Sequence, residues 1–124
     1  MTTRRFVKSK EKTKSNIKNA IEQIIKGEKE EVVVKNVRDD LEKYGGTNDV
    51  SFIKGNEKGG ISHFSKKHKE DIEGVIEALT DGKITSHVPN RKVFIEHKDY
   101  LAILSLDYHG NKKTWLLTGY KKVK

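Results

Sequence analysis

Apolar residues recur every three or four positions in two long stretches of the chain. The first stretch predicts an amphipathic helix over roughly 13–26 that ends at Gly27. The second is the strongest helical pattern in the sequence, covers most of 61–80 and ends at Asp81-Gly82. The positions that line one face of this second pattern are Ile61, Phe64, His68, Ile72, Val75, Ile76 and Leu79.

Short elements are predicted between these two helices. Three consecutive valines make 31–35 a strand candidate, and 50–54 is a second one. Between them, 37–44 suits a short helix that ends at Gly45-Gly46. A glycine-rich loop over 55–60 then leads into the second long helix.

From residue 83 onward the pattern is typical of strands. The strand candidates are 83–88, 91–97, 100–108 and 113–122. Their connections are Pro89-Asn90, Lys98-Asp99 and His109-Gly110-Asn111. Connections this short join neighbouring antiparallel strands. The order of elements therefore predicts an α+β domain, with N-terminal helices packed on an antiparallel sheet formed mainly by the C-terminal meander.

The last strand carries hydroxyl groups at alternate positions. A period of two places Thr114, Leu116, Thr118 and Tyr120 on one face, with Trp115 and Leu117 on the other. Such a run of hydroxyl groups suggests a binding function, although Thr and Tyr are also good strand formers.

The composition limits the core and excludes several classes of protein. Of the 124 residues, 33% are apolar and 35% are charged, so the core must be thin. No apolar run approaches the roughly 20 residues of a transmembrane helix, and the charged segment 1–14 lacks the apolar stretch of a signal peptide. The absence of cysteine excludes disulfides, thiolate zinc sites and a cysteine nucleophile. We expect a cytoplasmic protein without a membrane partner.

The net charge of +8 lies at the two ends of the chain. Residues 1–18 carry +6 and residues 110–124 carry +5, whereas the stretch between them sums to −3. Lysines at this density attract phosphate backbones through counterion release. For 1–14 we expect a flexible basic arm ahead of a single domain over 15–124. The C-terminal lysines flank a strand, so Lys113, Lys121 and Lys122 are candidates for RNA binding.

Two of the five histidines lie where catalysis is conceivable. His63 and His68 open the strongest helix, where backbone amides and the helix dipole favour an anion. His68 is also consistent with a core histidine. On an unbroken helix the two would be rotated by about 140°, so they meet in one pocket only if the first turn is irregular or a loop brings other groups to them. We expect His97 and His109 to be solvated, and His87 is left open.

The remaining chemistry-bearing residues are cations at the start of the meander. Arg91 could bind a phosphate as a bidentate fork and Lys92 as a point charge, or both could be solvated residues that protect a strand edge. The histidines lack zinc spacing, no carboxylates have calcium-loop spacing, and 55–60 is not a Walker loop. We expect no metal and no cofactor.

The order of these segments along the chain is itself distinctive. Gly59-Gly60-Ile61-Ser62-His63-Phe64 is followed by Lys67-His68, Ile72–Leu79, Asn90-Arg91-Lys92 and Lys113–Tyr120. This order resembles the barnase–EndoU–colicin–RelE nuclease superfamily, and within it the toxin nucleases associated with phages and mobile elements. The resemblance covers roughly 45–122. Its most specific parts are the Gly-x-x-His opening and the closing Trp-Leu-Leu-Thr-Gly-Tyr.

The resemblance implies a ribonuclease with RNA bound across the sheet. Related EndoU-type members use two histidines, a lysine and a Thr-x-Tyr pair on a late strand, although their histidines are usually farther apart than the five residues seen here. Carried over to this chain, the catalytic residues are His63, His68, Lys92, Thr118 and Tyr120. Arg91 is an alternative cation, and Trp115 is a candidate for RNA binding. Such toxins usually meet an immunity protein, which implies an acidic partner, and some are delivered into a target cell as part of a larger polypeptide.

The chemistry expected of this set needs no metal. Histidine, with an ordinary pKa near 6.5, can take a proton from the ribose 2′-hydroxyl or give one to the departing 5′-oxygen. A cation at Lys92 or Arg91 stabilises the charge on phosphorus. The expected products are a 2′,3′-cyclic phosphate and a 5′-hydroxyl end.

Two further functions are consistent with the sequence. The net charge alone is enough for a non-catalytic nucleic-acid-binding module, with Phe94, Tyr100, Tyr108, Trp115 and Tyr120 as the available stacking residues. A structural or interaction domain of a phage polyprotein would bind RNA weakly and show no loss on replacement of the histidines. RNA cleavage separates the first function from these two.

Overall fold

Helices and strands follow one another largely as the sequence pattern predicts, and the α+β class is confirmed. The computed structural model describes residues 2–55, 59–67 and 69–122. The elements in chain order are α1 (Thr2–Ile25), β1 (Glu31–Val34), a 3-10 turn (Leu41–Tyr44), β2 (Val50–Ile53), α2 (Ile61–Lys67), a second 3-10 turn (Lys69–Asp71), α3 (Ile72–Asp81), β3 (Lys83–Val88), β4 (Lys92–His97), β5 (Tyr100–Tyr108) and β6 (Asn111–Lys121).

The N-terminal helix α1 begins well before the expected position. The predicted apolar stripe is buried at Ile17, Ala20, Ile21 and Ile24, whereas Ile25, also expected on it, is exposed. At the expected start, near residue 13, the side chains of Thr13 and Lys14 are half-buried. Apolar periodicity marks only the part of a helix that contacts a core, so it does not show where the helix itself begins. The flexibility expected for 1–14 stays a prediction. No helix of the described residues is long and apolar enough to cross a membrane.

The strand order within the described chain is β1-β2-β6-β5-β4-β3. Strands β3 to β6 form the antiparallel meander that the short connections predict. The first two strands form an antiparallel pair, and β2 lies parallel to β6, with Ser51 opposite Trp115. The sheet is therefore mixed, and β6 lies between the N-terminal strands and the meander.

Helices α1 and α3 pack on one face of this sheet. α1 contacts β1 and β2, and α3 contacts β4, β5 and β6. The strand residues buried against them are Val34, Val50, Phe52, Val93, Ile95, Ala102, Leu104, Leu106 and Leu116. We call the opposite side the helix-free face, and its residues include Lys92, Phe94, Glu96, Leu101, Ile103, Ser105, Trp115, Thr118 and Tyr120.

The single helix expected over 61–80 is wrong, because the structure divides this stretch. α2 ends at Lys67, and α3 begins after the 3-10 turn at Lys69–Asp71. The backbone N–H of Lys121 in β6 donates to Asp71 Oδ2 at 3.1 Å. This hydrogen bond ties the end of the 3-10 turn to the sheet. His68 lies outside the described residues.

The helix expected over 37–44 is reduced to a 3-10 turn because the preceding residues are held as a loop. Arg38 donates to the two carboxylate oxygens of Asp40 at 2.9 and 2.8 Å. It also donates to the carbonyl of Leu79 in α3 at 2.9 Å. The hydrogen bond from Arg38 lowers the pKa of Asp40 below its ordinary value. The charged form of Asp40 therefore stabilises the contact between this loop and α3.

We expect Asp40→Asn to destabilise the fold at neutral pH by about 1–2 kcal/mol, because it removes a charge-assisted hydrogen bond that is partly screened by solvent. The folded-state pKa of Asp40 lies below its ordinary value of 3.8. The stabilisation is thus present above that value and is lost as the pH falls through the folded-state pKa. Urea unfolding of the two proteins should give free energies that converge in acid. A difference that does not change with pH would contradict this role, and Asp39→Asn is the matched control.

Replacing Gly74 in α3 by alanine should destabilise the fold, whereas the same replacement of a helical glycine usually stabilises it. An alanine normally stabilises a helix interior by about 1 kcal/mol, but a Cβ at Gly74 would overlap the ring of Tyr100 in β5. Gly74→Ala should therefore lower the free energy of unfolding by about 1–3 kcal/mol. In a Tyr100→Ala background the same substitution should be neutral or stabilising. Stabilisation by Gly74→Ala alone would show that this contact is absent.

Candidate functional site

An extra residue in β6 decides which side chains share the helix-free face. Leu104 pairs with Leu116, but the neighbouring pair is Ile103 with Thr118, so Leu117 has no partner in β5. Such a bulge reverses the alternation of side chains beyond it. The expected common face for Thr114, Leu116, Thr118 and Tyr120 is therefore wrong. The first two face the helices, whereas Thr118 and Tyr120 join Trp115.

Cross-strand pairing arranges the helix-free face in rows. The rows are Lys92–Ser105–Trp115, Phe94–Ile103–Thr118 and Glu96–Leu101–Tyr120. Neighbouring strands lie about 4.8 Å apart, and alternate residues of one strand lie about 6.6 Å apart. By this spacing the backbones of Lys92 and Thr118 are about 12 Å apart. The exposed Lys92 side chain and Thr118 thus lie on one face, within the length of a short segment of an extended phosphodiester chain.

The hydroxyl of Thr118 is buried and has no hydrogen-bond partner among the described residues. An unpaired buried hydroxyl costs about 1–3 kcal/mol. Thr114 in the same strand is different, because its hydroxyl accepts a hydrogen bond from the backbone N–H of Thr47 at 2.8 Å. The hydroxyl of Thr118 is therefore an unused hydrogen-bonding group of a residue on the helix-free face.

Past Trp115, the neighbour of β6 is no longer β2 but the stretch made of residues 60–67 and 69–71. The backbone N–H of Gly60 donates to the carbonyl of Leu117 at 2.8 Å, and Asp71 accepts the hydrogen bond from Lys121 described above. Between these two bonds, α2 contacts β6 and carries His63, which is half-buried. His63 thus belongs to the segment that borders the strand of Thr118 and Tyr120.

Two of the candidate RNA-binding lysines are paired with glutamates. Lys113 Nζ lies 2.8 Å from Glu31 Oε2, and Lys122 forms an ion pair with Glu96. The hydrogen bond from Lys122 lowers the pKa of Glu96, as does a second bond, at 2.6 Å, from the hydroxyl of Thr85. Sequence analysis gave Glu96 no role, although the strand period places it on the same face as Lys92.

The other candidate cations are exposed. Arg91 lies in the turn before β4, Lys92 begins β4, and Lys121 ends β6. None of the three has an ion-pair partner within residues 2–55, 59–67 and 69–122. Lys92 can therefore bind an anionic ligand on the helix-free face without first breaking an ion pair with a described residue.

Trp115 is fixed in the first row by its neighbours. Its Nε1–H donates to the carbonyl of Asp107 at 2.8 Å, and Tyr108 packs edge-on with the ring centroids 5.4 Å apart. The ring of His109 lies 4.3 Å from that of Tyr108, so His109, exposed as expected, is more than a turn residue. We call Trp115, Tyr108 and His109 the aromatic cluster. In the sequence these rings stand at separate positions, and only the β5–β6 register brings them into contact.

The remaining histidines are engaged elsewhere. The ring of His87 packs on Tyr44 with centroids 4.8 Å apart, and His97 Nε2 lies 4.0 Å from Glu77 Oε1 in α3. Tyr100, a stacking candidate from the sequence, packs on α3 against Gly74.

Among the described residues no group of three His, Asp or Glu side chains could hold a metal ion.

Comparison with known proteins gives this face no precedent. A scan of the chain against protein-family models finds no match, and a search of curated proteins finds no significant match. What the helix-free face can do chemically follows from its own residues.

Proposed function

We propose that the protein is a metal-independent endoribonuclease that binds RNA across the helix-free face. The observation that carries this proposal is the unpartnered buried hydroxyl of Thr118, on the face of Lys92 and beside the segment of His63. A hydrogen-bond donor, a cation and an imidazole are the groups that attack by a ribose 2′-hydroxyl needs. The resemblance to the barnase–EndoU–colicin–RelE superfamily supports the same set.

The proposed reaction is an internal phosphoryl transfer. The ribose 2′-oxygen forms a bond to phosphorus while the bond from phosphorus to the 5′-oxygen breaks. One histidine takes the proton from the 2′-hydroxyl, and the other gives a proton to the departing 5′-oxygen. His63 and His68 fill these two roles, because an imidazole can both take and give a proton. The products are a 2′,3′-cyclic phosphate and a 5′-hydroxyl end.

Lys92 and Thr118 hold the reacting phosphate in this proposal. Lys92, with Arg91 next to it, stabilises the negative charge that develops on the phosphate oxygens. The hydroxyl of Thr118 donates to a non-bridging oxygen and thereby gains the partner that it lacks in the free protein. Tyr120, in the neighbouring row, orients a base or stacks on it.

The C-terminal lysines draw RNA to the face through counterion release. Lys121 pairs with Tyr100 and so alternates to the side opposite Tyr120, and it contributes only through its charge. Lys113 and Lys122 exchange Glu31 and Glu96 for phosphate. The same basic surface suits an acidic inhibitor, so we propose an immunity protein as a partner. We propose that the protein is a phage-associated toxin that acts in the cytoplasm, either of the cell that produces it or of a target cell.

The first test is cleavage of total RNA in EDTA. We expect fragments with 2′,3′-cyclic phosphate and 5′-hydroxyl ends. His63→Ala should lower the cleavage rate by about 10²–10⁴-fold, the usual contribution of a general acid or base. His97→Ala removes a histidine that lies beside Glu77 of α3 and should leave the rate unchanged. A double replacement of His63 and His68 that still cleaves at the parent rate would refute the mechanism.

Thr118→Val should separate activity from stability. Valine has nearly the same shape and no hydroxyl, so we expect the free energy of unfolding to rise by about 1–3 kcal/mol. We expect the cleavage rate to fall by about 10–100-fold, because a hydrogen bond to a charged oxygen is lost. Thr114→Val is the matched control, since it breaks the bond to Thr47 and should lower stability. If Thr118→Val is stabilised and cleaves at the parent rate, Thr118 has no catalytic role.

A non-catalytic RNA-binding domain is the second candidate. The exposed Lys92 and the rings of Trp115 and Tyr120 on one face are sufficient for binding without catalysis. Such a protein would shift RNA in a gel, with an affinity that falls as salt rises, and would leave the RNA whole. The incubation in EDTA therefore distinguishes the two functions.

A further inference from the structure

A pocket of about 230 Å³ opens beside Trp115 where β5 and β6 join. The residues that line it include Gly55, Gly59, Asp107, Tyr108, His109 and Trp115. Its volume is below the roughly 300–1,000 Å³ of sites for drug-sized ligands. The pocket therefore suits one planar ring system and not a larger molecule. The aromatic cluster is part of its lining.

Close packing of a glycine keeps one part of the pocket lined by backbone. Gly59 lies against Leu117 so tightly that a Cβ would come within 2.6 Å of Leu117 Cδ1. A larger residue at 59 would displace Leu117, which also lines the pocket. Because glycine has no side chain, a flat ligand can approach the main chain closely here.

The rings of the aromatic cluster are held before any ligand arrives. The indole N–H of Trp115 is bonded to a backbone carbonyl, and the edge-on contacts of Tyr108 with Trp115 and with His109 fix the three rings relative to one another. Ordered aromatic rings bind at a low entropic cost, since few rotamers are lost. The cluster is thus a preorganised surface for stacking.

Cations adjoin this surface. Lys113 Nζ lies 5.2 Å from the centroid of the Tyr108 ring, and Lys112 precedes it in the same strand. The stretch 110–124 carries five lysines and no acidic residue. A ligand that joins a planar ring to phosphates is complementary to this combination of rings and charge.

We propose that the pocket binds one unpaired nucleobase of a single-stranded RNA, stacked on Trp115. This inference rests on the proposed function, because it takes RNA as the ligand. Trp115 and Thr118 are separated by about 10 Å of strand at most, so the stacked base lies within about one or two nucleotides of the phosphate at Thr118. A base inside a duplex is already stacked on its neighbours and cannot enter such a pocket. The substrate class is therefore single-stranded RNA.

Fluorescence tests this proposal directly, because Trp115 is the one tryptophan of the chain. The probe is a short 2′-O-methyl oligoribonucleotide, which lacks the attacking hydroxyl and cannot be cleaved. We expect it to quench the fluorescence of Trp115 as a single strand and not as a duplex. Inorganic polyphosphate, which has charge without bases, should bind without quenching.

Variants locate the stacked base. Trp115→Ala should weaken binding of the single strand, measured by filter retention, by about 5–150-fold, whereas Trp115→Phe should keep most of the affinity. Tyr108→Ala and His109→Ala keep the tryptophan and should reduce the quenching at a given probe concentration. His87→Ala replaces an exposed histidine on Tyr44 and should behave as the parent.

The outcomes for the pocket and for catalysis are independent. Bound single strand without quenching, equal quenching by the duplex, or equal affinity of Trp115→Ala and the parent would each overturn the base pocket. Quenching by the single strand in a protein that leaves total RNA whole would keep the pocket and overturn the nuclease. Cleavage that depends on His63, without quenching, would keep the nuclease and overturn the pocket.

Discussion

Strand β6 contains two residues more than the part of β5 that it pairs with, and one of the two is Leu117, which has no partner. Because of this bulge, Leu116 packs into the core while Thr118 and Tyr120 turn to the helix-free face. The position that faces α3 beyond the bulge is Gly119, where a Cβ would lie 2.5 Å from Val75 Cγ1. In a regular strand Thr118 would point at α3 instead. The composition of the helix-free face thus depends on one unpaired residue.

The same residue connects the sheet to α2. The carbonyl of Leu117 accepts the N–H of Gly60, and a second bond joins Lys121 to Asp71. The segment that carries His63 is therefore held at both ends by the backbone of β6. A change in the register of β6 would move the hydroxyl of Thr118 and the attachment of this segment together, so the two parts of the candidate site are mechanically linked.

Local sequence signals predicted the elements that periodicity and turns define, and they could not predict the features that bring the site together. The stripe of α1 and the four strands of the meander follow from spacing and from turn residues. The contact of Ser51 with Trp115 joins distant parts of the chain and leaves no local signal. Leu117 is an apolar residue in an apolar run, so the bulge is invisible in the period. The resemblance predicted Lys92, Thr118 and Tyr120 as site residues, and the strand register places these three on one face.

The buried hydroxyl of Thr118 has no hydrogen-bond partner among the described residues, which lowers the stability of the free protein. Valine has the same branched shape, favours strands equally and would avoid the cost of an unpaired buried hydroxyl, about 1–3 kcal/mol. We propose that a phosphate oxygen supplies the missing acceptor and thereby recovers this cost. Lys92 is the opposite case, since its exposed charge is solvated and costs little to maintain. Under the proposed mechanism the buried hydroxyl fixes where the phosphate lies, and the exposed lysine stabilises the charge that develops on it.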